Sequence, residues 1–136
     1  MLFRSVKSAT VVGGGFIGLE MTENLHRRSI ETTIIEMQPQ VLPPIDPEMA
    51  LMVHQVLLRQ KVKLRLGAAV SGFFPDIDQR MGIALADGSR ITTDMVILAI
   101  GVKPEIELAK SAGLTIGPLG GIAVDRHMRT DRKSVV

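Results

Sequence analysis

The chain has 136 residues, 46 % hydrophobic and 22 % charged, with 16 basic and 14 acidic side chains and a formal net charge of +2. That is enough for one domain with a real core and a soluble composition, but short for a complete cofactor enzyme. Without cysteine there is no disulfide framework, thiol nucleophile or Cys-based metal site, and with no Trp, no Tyr and four Phe there is no stacking platform for nucleic acid.

In chain order, Met1-Leu-Phe-Arg-Ser-Val-Lys7 lacks the apolar h-region of a secretory signal. Ser8–Val12 is a continuous apolar run and predicts a strand buried on both faces. Phe16–Arg28 predicts a helix with an apolar stripe of Phe16, Ile17, Leu19, Met21 and Leu25. Ile30–Glu36 predicts a second strand, completing a βαβ unit whose crossover is expected to be right-handed. Pro39, Pro43 and Pro44 make 37–45 a loop, after which Asp46 is expected to cap a helix that has Pro47 at its first position. Met49, Met52, Val53, Val56, Leu57 and Gln60 follow helical spacing, and the two methionines are expected in the core.

Val62–Leu66 and Ala69–Phe74 predict two more strands, and Met81–Ala86, Asp87-Gly88 and Arg90–Thr92 a hairpin. Met95–Ile100 is an apolar strand ending at Gly101, and Glu105–Ala112 a short helix stopping at Gly113. Leu114–Ile116 and Ile122–Val124 are short apolar pieces, followed by a basic cluster of Arg126, Arg129, Arg132 and Lys133. No apolar run reaches the ~20 residues of a spanning helix. The expectation is a cytoplasmic domain with no membrane or nucleic-acid partner. The fold class implied by these elements is α/β: a parallel sheet with helices and a β-meander.

The chemistry concentrates between residues 10 and 36. Gly13, Gly15 and Gly18 fall on the G-x-G-x-x-G spacing between strand and helix, and Glu36 closes the next strand. Gly13 permits the tight turn, Gly15 lacks the Cβ that would block a pyrophosphate, and Gly18 lets helix and strand approach. The helix N-terminus offers N–H groups and a positive dipole end to phosphates. Glu36 suits the two ribose hydroxyls of an adenosine and disfavours a 2′-phosphate. Met37-Gln38-Pro39 supplies no positive charge, so NAD(H) is preferred over NADP(H) unless Arg65 or another distant base folds in.

These residues resemble the NAD-binding domain of the pyridine nucleotide–disulfide oxidoreductases, flavoproteins that include NADH oxidase, NADH peroxidase and coenzyme A-disulfide reductase. The resemblance is carried by Val12–Glu20 with Met21 and Glu23-Asn24-Leu25, by Ile35-Glu36, and by Pro44-Ile-Asp-Pro-Glu48. Leu66-Gly67, Val70, Val96–Glu105, Gly120–Asp125 and Met128-Arg-Thr130 extend it. The Pro44–Glu48 stretch points to the NADH oxidase and coenzyme A-disulfide reductase branch. Val102-Lys103 stands where the family usually has an Arg, and the chain ends Asp131-Arg-Lys-Ser-Val-Val where the family continues toward a flavin-holding motif.

The resemblance implies an α/β, three-layer Rossmann-like FAD/NAD(P)-binding domain, with residues 1–115 as the NAD(P)H-binding domain and 116–136 as a segment leading toward a flavin domain outside this chain. The chain is thus expected to be an excised or truncated domain, inactive by itself, of a homodimeric parent. It also implies a cofactor site of Gly13, Gly14, Gly15, Phe16, Ile17, Gly18, Glu20, Glu36, Met37, Val70, Ala99 and Gly101. In it the pyrophosphate lies over Gly14–Ile17, Val70 lines the adenine pocket, and Ala99 and Gly101 pass the nicotinamide half. In the full enzyme NADH delivers hydride to FAD, bound mostly outside this chain, for reduction of a disulfide, peroxide or oxygen. No catalytic residue and no metal ligand is expected here.

Two positions keep two readings each. Glu20 resembles a glutamate near the nicotinamide, and equally an exposed helix carboxylate paired with Asn24. Phe16 resembles an aromatic gate over the flavin, and equally an N-terminal staple. His26, His54 and His127 have no metal-spaced partners and read as surface or core residues, and Asp76 and Asp78 as a solvated turn. Leu114, Ile116, Ile122 and Val124 are expected to be left exposed and to favour self-association. The competing function is a stand-alone, non-catalytic NAD(H)-binding or sensing module. A dehydrogenase built on a Tyr-x-x-x-Lys pair is excluded by the absence of Tyr.

Overall fold

A computed structural model of the chain describes residues 5–131; Met1–Arg4, and Arg132, Lys133 and the three residues after them, lie outside the described residues. The strands are β1 (Ser8–Val12), β2 (Glu31–Glu36), β3 (Lys63–Leu66), β4 (Val70–Pro75), β5 (Met81–Leu85), β6 (Arg90–Thr93) and β7 (Met95–Leu98). The helices are α1 (Phe16–Arg27), α2 (Pro47–Arg59) and α3 (Glu107–Ser111). The chain forms two compact units that divide between Ile100 and Gly101.

In the first unit β3-β2-β1-β7 form a parallel sheet, and β4-β5-β6 an antiparallel meander. The apolar run of β1 serves both faces, as expected. Ala9 and Val11 pack with Leu25 of α1, while Val12 packs with Ile35, Ile83 and Leu85 between the parallel sheet and the meander. Each fully buried aliphatic side chain contributes about 1.5–3 kcal/mol of transfer free energy. The α/β fold with helices, parallel sheet and meander in layers is therefore the one expected. The β5–β6 turn is a three-residue loop. Leu85 N–H donates to Ser89 C=O at 2.9 Å, and the positive φ of +83° falls on Gly88 alone.

Two expectations for α2 are corrected. Asp46 is the N-cap residue, but its carboxylate makes no capping bond. Met49 N–H, the donor such a carboxylate would take, is bent back onto Asp46 C=O at 3.0 Å. The face turned inward is Ala50, Val53, His54 and Leu57, whereas Met49 and Met52 are 56 % and 62 % exposed and lie outside the core. The helix is apolar around most of its circumference, so the helical period alone fits two phases, and the small Ala50 takes the tightest contact. Asp76 is also more than a solvated turn residue. It accepts from Ile77 N–H at 2.8 Å to start a short 3-10 turn, and from the Thr92 hydroxyl on β6.

A carboxylate from the β6–β7 junction closes the amino end of β1. Asp94 accepts from Lys7 N–H (3.0 Å), Ser8 N–H (2.9 Å) and the Ser8 hydroxyl (3.0 Å), and pairs with Arg80 Nε at 3.1 Å. The Lys7 N–H foremost, then the Ser8 donors and Arg80, hold its carboxyl down at about 2 against the opposing effect of burial.

In the second unit α3 is followed by Gly113 in the left-handed region (φ +71°), and an antiparallel bridge joins Ile116 to Ile122. Leu114 and Ile116 are half-buried, and Ile122 and Val124 are exposed.

Candidate dinucleotide site

The carboxyl ends of β1, β2 and β7 finish side by side, Val12 opposite Ile35 on one flank and Leu98 on the other. Gly13 N–H donates to Ile35 C=O at 2.8 Å, and Ala99 N–H to Val12 C=O at 2.7 Å. Since β1 leads through α1 to β2 on one side and has β7 on the other, the strand order reverses here, where open α/β sheets leave a crevice.

The four glycines of the loop sort by what a side chain would meet. At Gly13, φ +108°, a Cβ would lie 2.3 Å from Ala99 O. At Gly18 it would lie 2.0 Å from Gly13 O, so only glycine lets α1 approach β1 this closely. At Gly14 it would press on Val41 and Glu36 at 3.1 and 3.2 Å. Gly15 differs: its φ of −75° and ψ of −174° suit any residue, and a Cβ there would meet nothing within 4 Å. Nothing among the described residues requires a glycine at Gly15.

Helix α1 starts at Phe16, and its first backbone bond runs from Leu19 N–H to Gly15 C=O at 3.0 Å. The N–H groups from Gly15 to Gly18 therefore stand ahead of the helical ladder, and no carboxylate lies in the first turn. Glu36 is 9 % exposed; its Oε2 accepts from Gly14 N–H at 2.6 Å and its Oε1 from Gln38 N–H at 2.8 Å. Each oxygen keeps one further acceptor position. The proline loop is tied down too: Leu42 N–H donates to Gly14 C=O at 2.8 Å, and Val41 N–H to His54 Nε2 at 3.1 Å.

These elements enclose a cleft of about 570 Å³, within the range of small-molecule sites. Of the sequence-predicted residues, Gly13, Gly15, Glu36, Met37, Val70 and Ala99 line it. Gly14 and Gly18 support it from behind. Phe16 and Ile17 are 69 % and 54 % exposed on the first turn of α1, and Glu20 is exposed one turn on. Asn24 Nδ2 donates to the Glu20 backbone carbonyl, not to its carboxylate. Gly101 begins the second unit, exposed and with φ +104°. Sequence reading missed Pro43, Ala68 and Phe73 in the lining. Phe73 shares the face of Val70 because the register shifts between Val70 and Gly72, an irregularity that simple strand alternation does not mark. Glu36 is the one charged residue lining the cleft among the described residues.

A glycine-rich βαβ unit with a strand-end acid, on a parallel sheet with a meander, defines a dinucleotide-binding α/β domain. The description of the pyridine nucleotide-disulphide oxidoreductases matches residues 2–135. The chain belongs to that family, in its NADH oxidase and coenzyme A-disulfide reductase branch. It is 40 % identical over 125 residues to an NADH oxidase of Methanocaldococcus jannaschii, a match spanning 91 % of this chain and 27 % of that protein. Among solved structures it is similar to reduced Bacillus anthracis CoADR-RHD, with TM-score 0.83 and 48 % identity over 92 % of this chain and 22 % of that one. It is likewise similar to an NAD-dependent persulfide reductase from A. fulgidus, with TM-score 0.87 and 39 % identity over 94 % and 24 %. The chain thus spans about a quarter of the length of these relatives.

Proposed function

We propose that the cleft binds NADH, as the dinucleotide-binding part of a flavin-dependent oxidoreductase. The observation that carries this reading is Gly15, a glycine with an ordinary backbone and open space where its Cβ would stand. Its bareness serves whatever enters the cleft. The N–H groups from Gly15 to Ile17 then hold the pyrophosphate at the dipole end of α1, and the remaining acceptor positions of Glu36 take the ribose hydroxyls. Met37, Val70 and Ala99 line the cleft against the adenine and the nicotinamide side. Bound in this way, NADH supplies a hydride to FAD, itself held mostly outside this chain, for reduction of a disulfide, peroxide or oxygen. The same reading takes residues 1–115 as the NADH-binding domain, 116–136 as the segment leading toward the flavin domain, and the parent as a cytoplasmic homodimer.

Preference for NADH over NADPH follows from charge. In this reading Glu36 faces the position of a 2′-phosphate with no base among the described residues lining the cleft to offset it, and Arg65 lines a different cavity. Another member of the fold supports this. An engineered water-forming NADPH oxidase bound to NADPH exchanges a Gly for Ala, an Asp eighteen positions later for Ala, and the next residue for Arg. Gly18, Glu36 and Met37 stand at those same intervals here. Calorimetric titration tests the reading. We expect saturable NADH binding, weaker NADPH binding, and loss of at least about tenfold in NADH affinity in Glu36→Ala. Equal affinity for both nucleotides in the wild-type chain would refute the charge account.

A further inference from the structure

A second cavity, of about 300 Å³, opens between the parallel sheet and the meander and shares no lining residue with the dinucleotide cleft. Its floor is the amino-terminal half of the sheet. Thr10, Thr33 and Lys63 stand on one cross-strand row, and Arg65 one side-chain repeat further along β3. Arg90 and Thr92 face it from β6, and Arg80 from the connection before β5. The lining therefore holds four cationic side chains and one carboxylate, Glu31, which is paired with Lys63.

The cations are unequal. Arg80 is committed to Asp94, to Ser8 Oγ at 3.2 Å and to Thr92 C=O at 3.2 Å, so it forms wall. Arg90 lies over the Phe74 ring, 5.2 Å from its centroid, a contact that steadies the guanidinium without neutralising it. Neither Arg65 nor Arg90 makes an ion pair among the described residues. The neighbouring carboxylates Asp76 and Asp87 bond Thr92 and Ser89 and attract Arg90 and Arg65 at longer range than an ion pair. Thr10 is 1 % exposed and lines the cavity. Its side chain stands on the floor of the same cavity as the guanidinium groups of Arg65 and Arg90.

We propose that this cavity is a binding site for a phosphate group, carried by a small metabolite or free, distinct from the dinucleotide cleft. Arg65 and Arg90 supply planar donors matched to phosphate oxygens, and Thr10 and Thr33 add hydroxyl donors from the floor. The volume admits a phosphate with a sugar-sized group attached, and excludes a dinucleotide.

The test is a residue-resolved amide NMR titration of the 136-residue chain at constant ionic strength. One arm uses inorganic phosphate and the other ribose 5-phosphate. Saturable shifts clustered at 63–66 and 90–93 are expected in both arms. Tighter binding of ribose 5-phosphate marks an ester as the ligand, and equal binding marks free phosphate. The Arg65→Gln/Arg90→Gln chain is expected to bind at least about tenfold more weakly. Shifts confined to 14–18, shifts that never saturate, or undiminished binding in the double variant would overturn the proposal. Should that variant fail to fold, the location of the wild-type shifts decides alone.

Discussion

The two ends of β1 handle backbone polarity in opposite ways. At its amino end the donors of Lys7 and Ser8 are met by Asp94, which is met in turn by Arg80. At its carboxyl end side chains are stripped away at Gly13, Gly14 and Gly15, and the N–H groups opening α1 stand ahead of the helical ladder. Asp94 takes both donors at the amino end, whereas at the carboxyl end Glu36 takes that of Gly14 and leaves those from Gly15 to Gly18 open. The difference teaches where to look for function. A satisfied polar cluster stabilises, whereas open donors beside a bare backbone are held in reserve.

The largest effect on this contrast is expected from Gly18→Val. Its Cβ would sit 2.0 Å from Gly13 O, a backbone atom, so the βαβ unit cannot close. Destabilisation of about 4 kcal/mol or more is expected in chemical denaturation. Next is Asp94→Ala, which removes the charge partner of Arg80 and the acceptor of the Lys7 and Ser8 N–H groups, and is expected to cost about 3 kcal/mol. Its pH dependence sharpens the contrast. A carboxyl lowered from 3.8 to about 2 contributes its full stability above pH 3.8 and loses it as pH falls through about 2. Wild-type stability should fall across that window, and the fall should be smaller in Asp94→Ala. The smallest effect is expected from Met52→Gln on the exposed face of α2, within about 0.5 kcal/mol of wild type in the same unfolding assay.

The open end was legible in the sequence and the closed end was not, for a physical reason. Gly13, Gly15, Gly18 and Glu36 lie within one βαβ unit, where local spacing sets geometry. Asp94 meets Ser8 across 86 positions, and nothing local marks that pairing. The phase of α2 was hidden by apolar residues on several faces, and His54 as the anchor of Val41 by the same long reach from helix to loop. Phe73 and Ala68 reach the cleft because the meander folds back over the parallel sheet, a tertiary fact that no motif encodes.

In the proposed function Gly15 is a glycine for the ligand's sake, and substituting it probes that role without disturbing the protein around it. Calorimetric titration of Gly15→Val with NADH, beside its thermal unfolding, separates fold from site. Unfolding within about 1 kcal/mol of wild type and loss of NADH binding are expected, because the added side chain fills the proposed path of the pyrophosphate. A folded Gly15→Val chain that binds NADH as tightly as wild type would contradict that role.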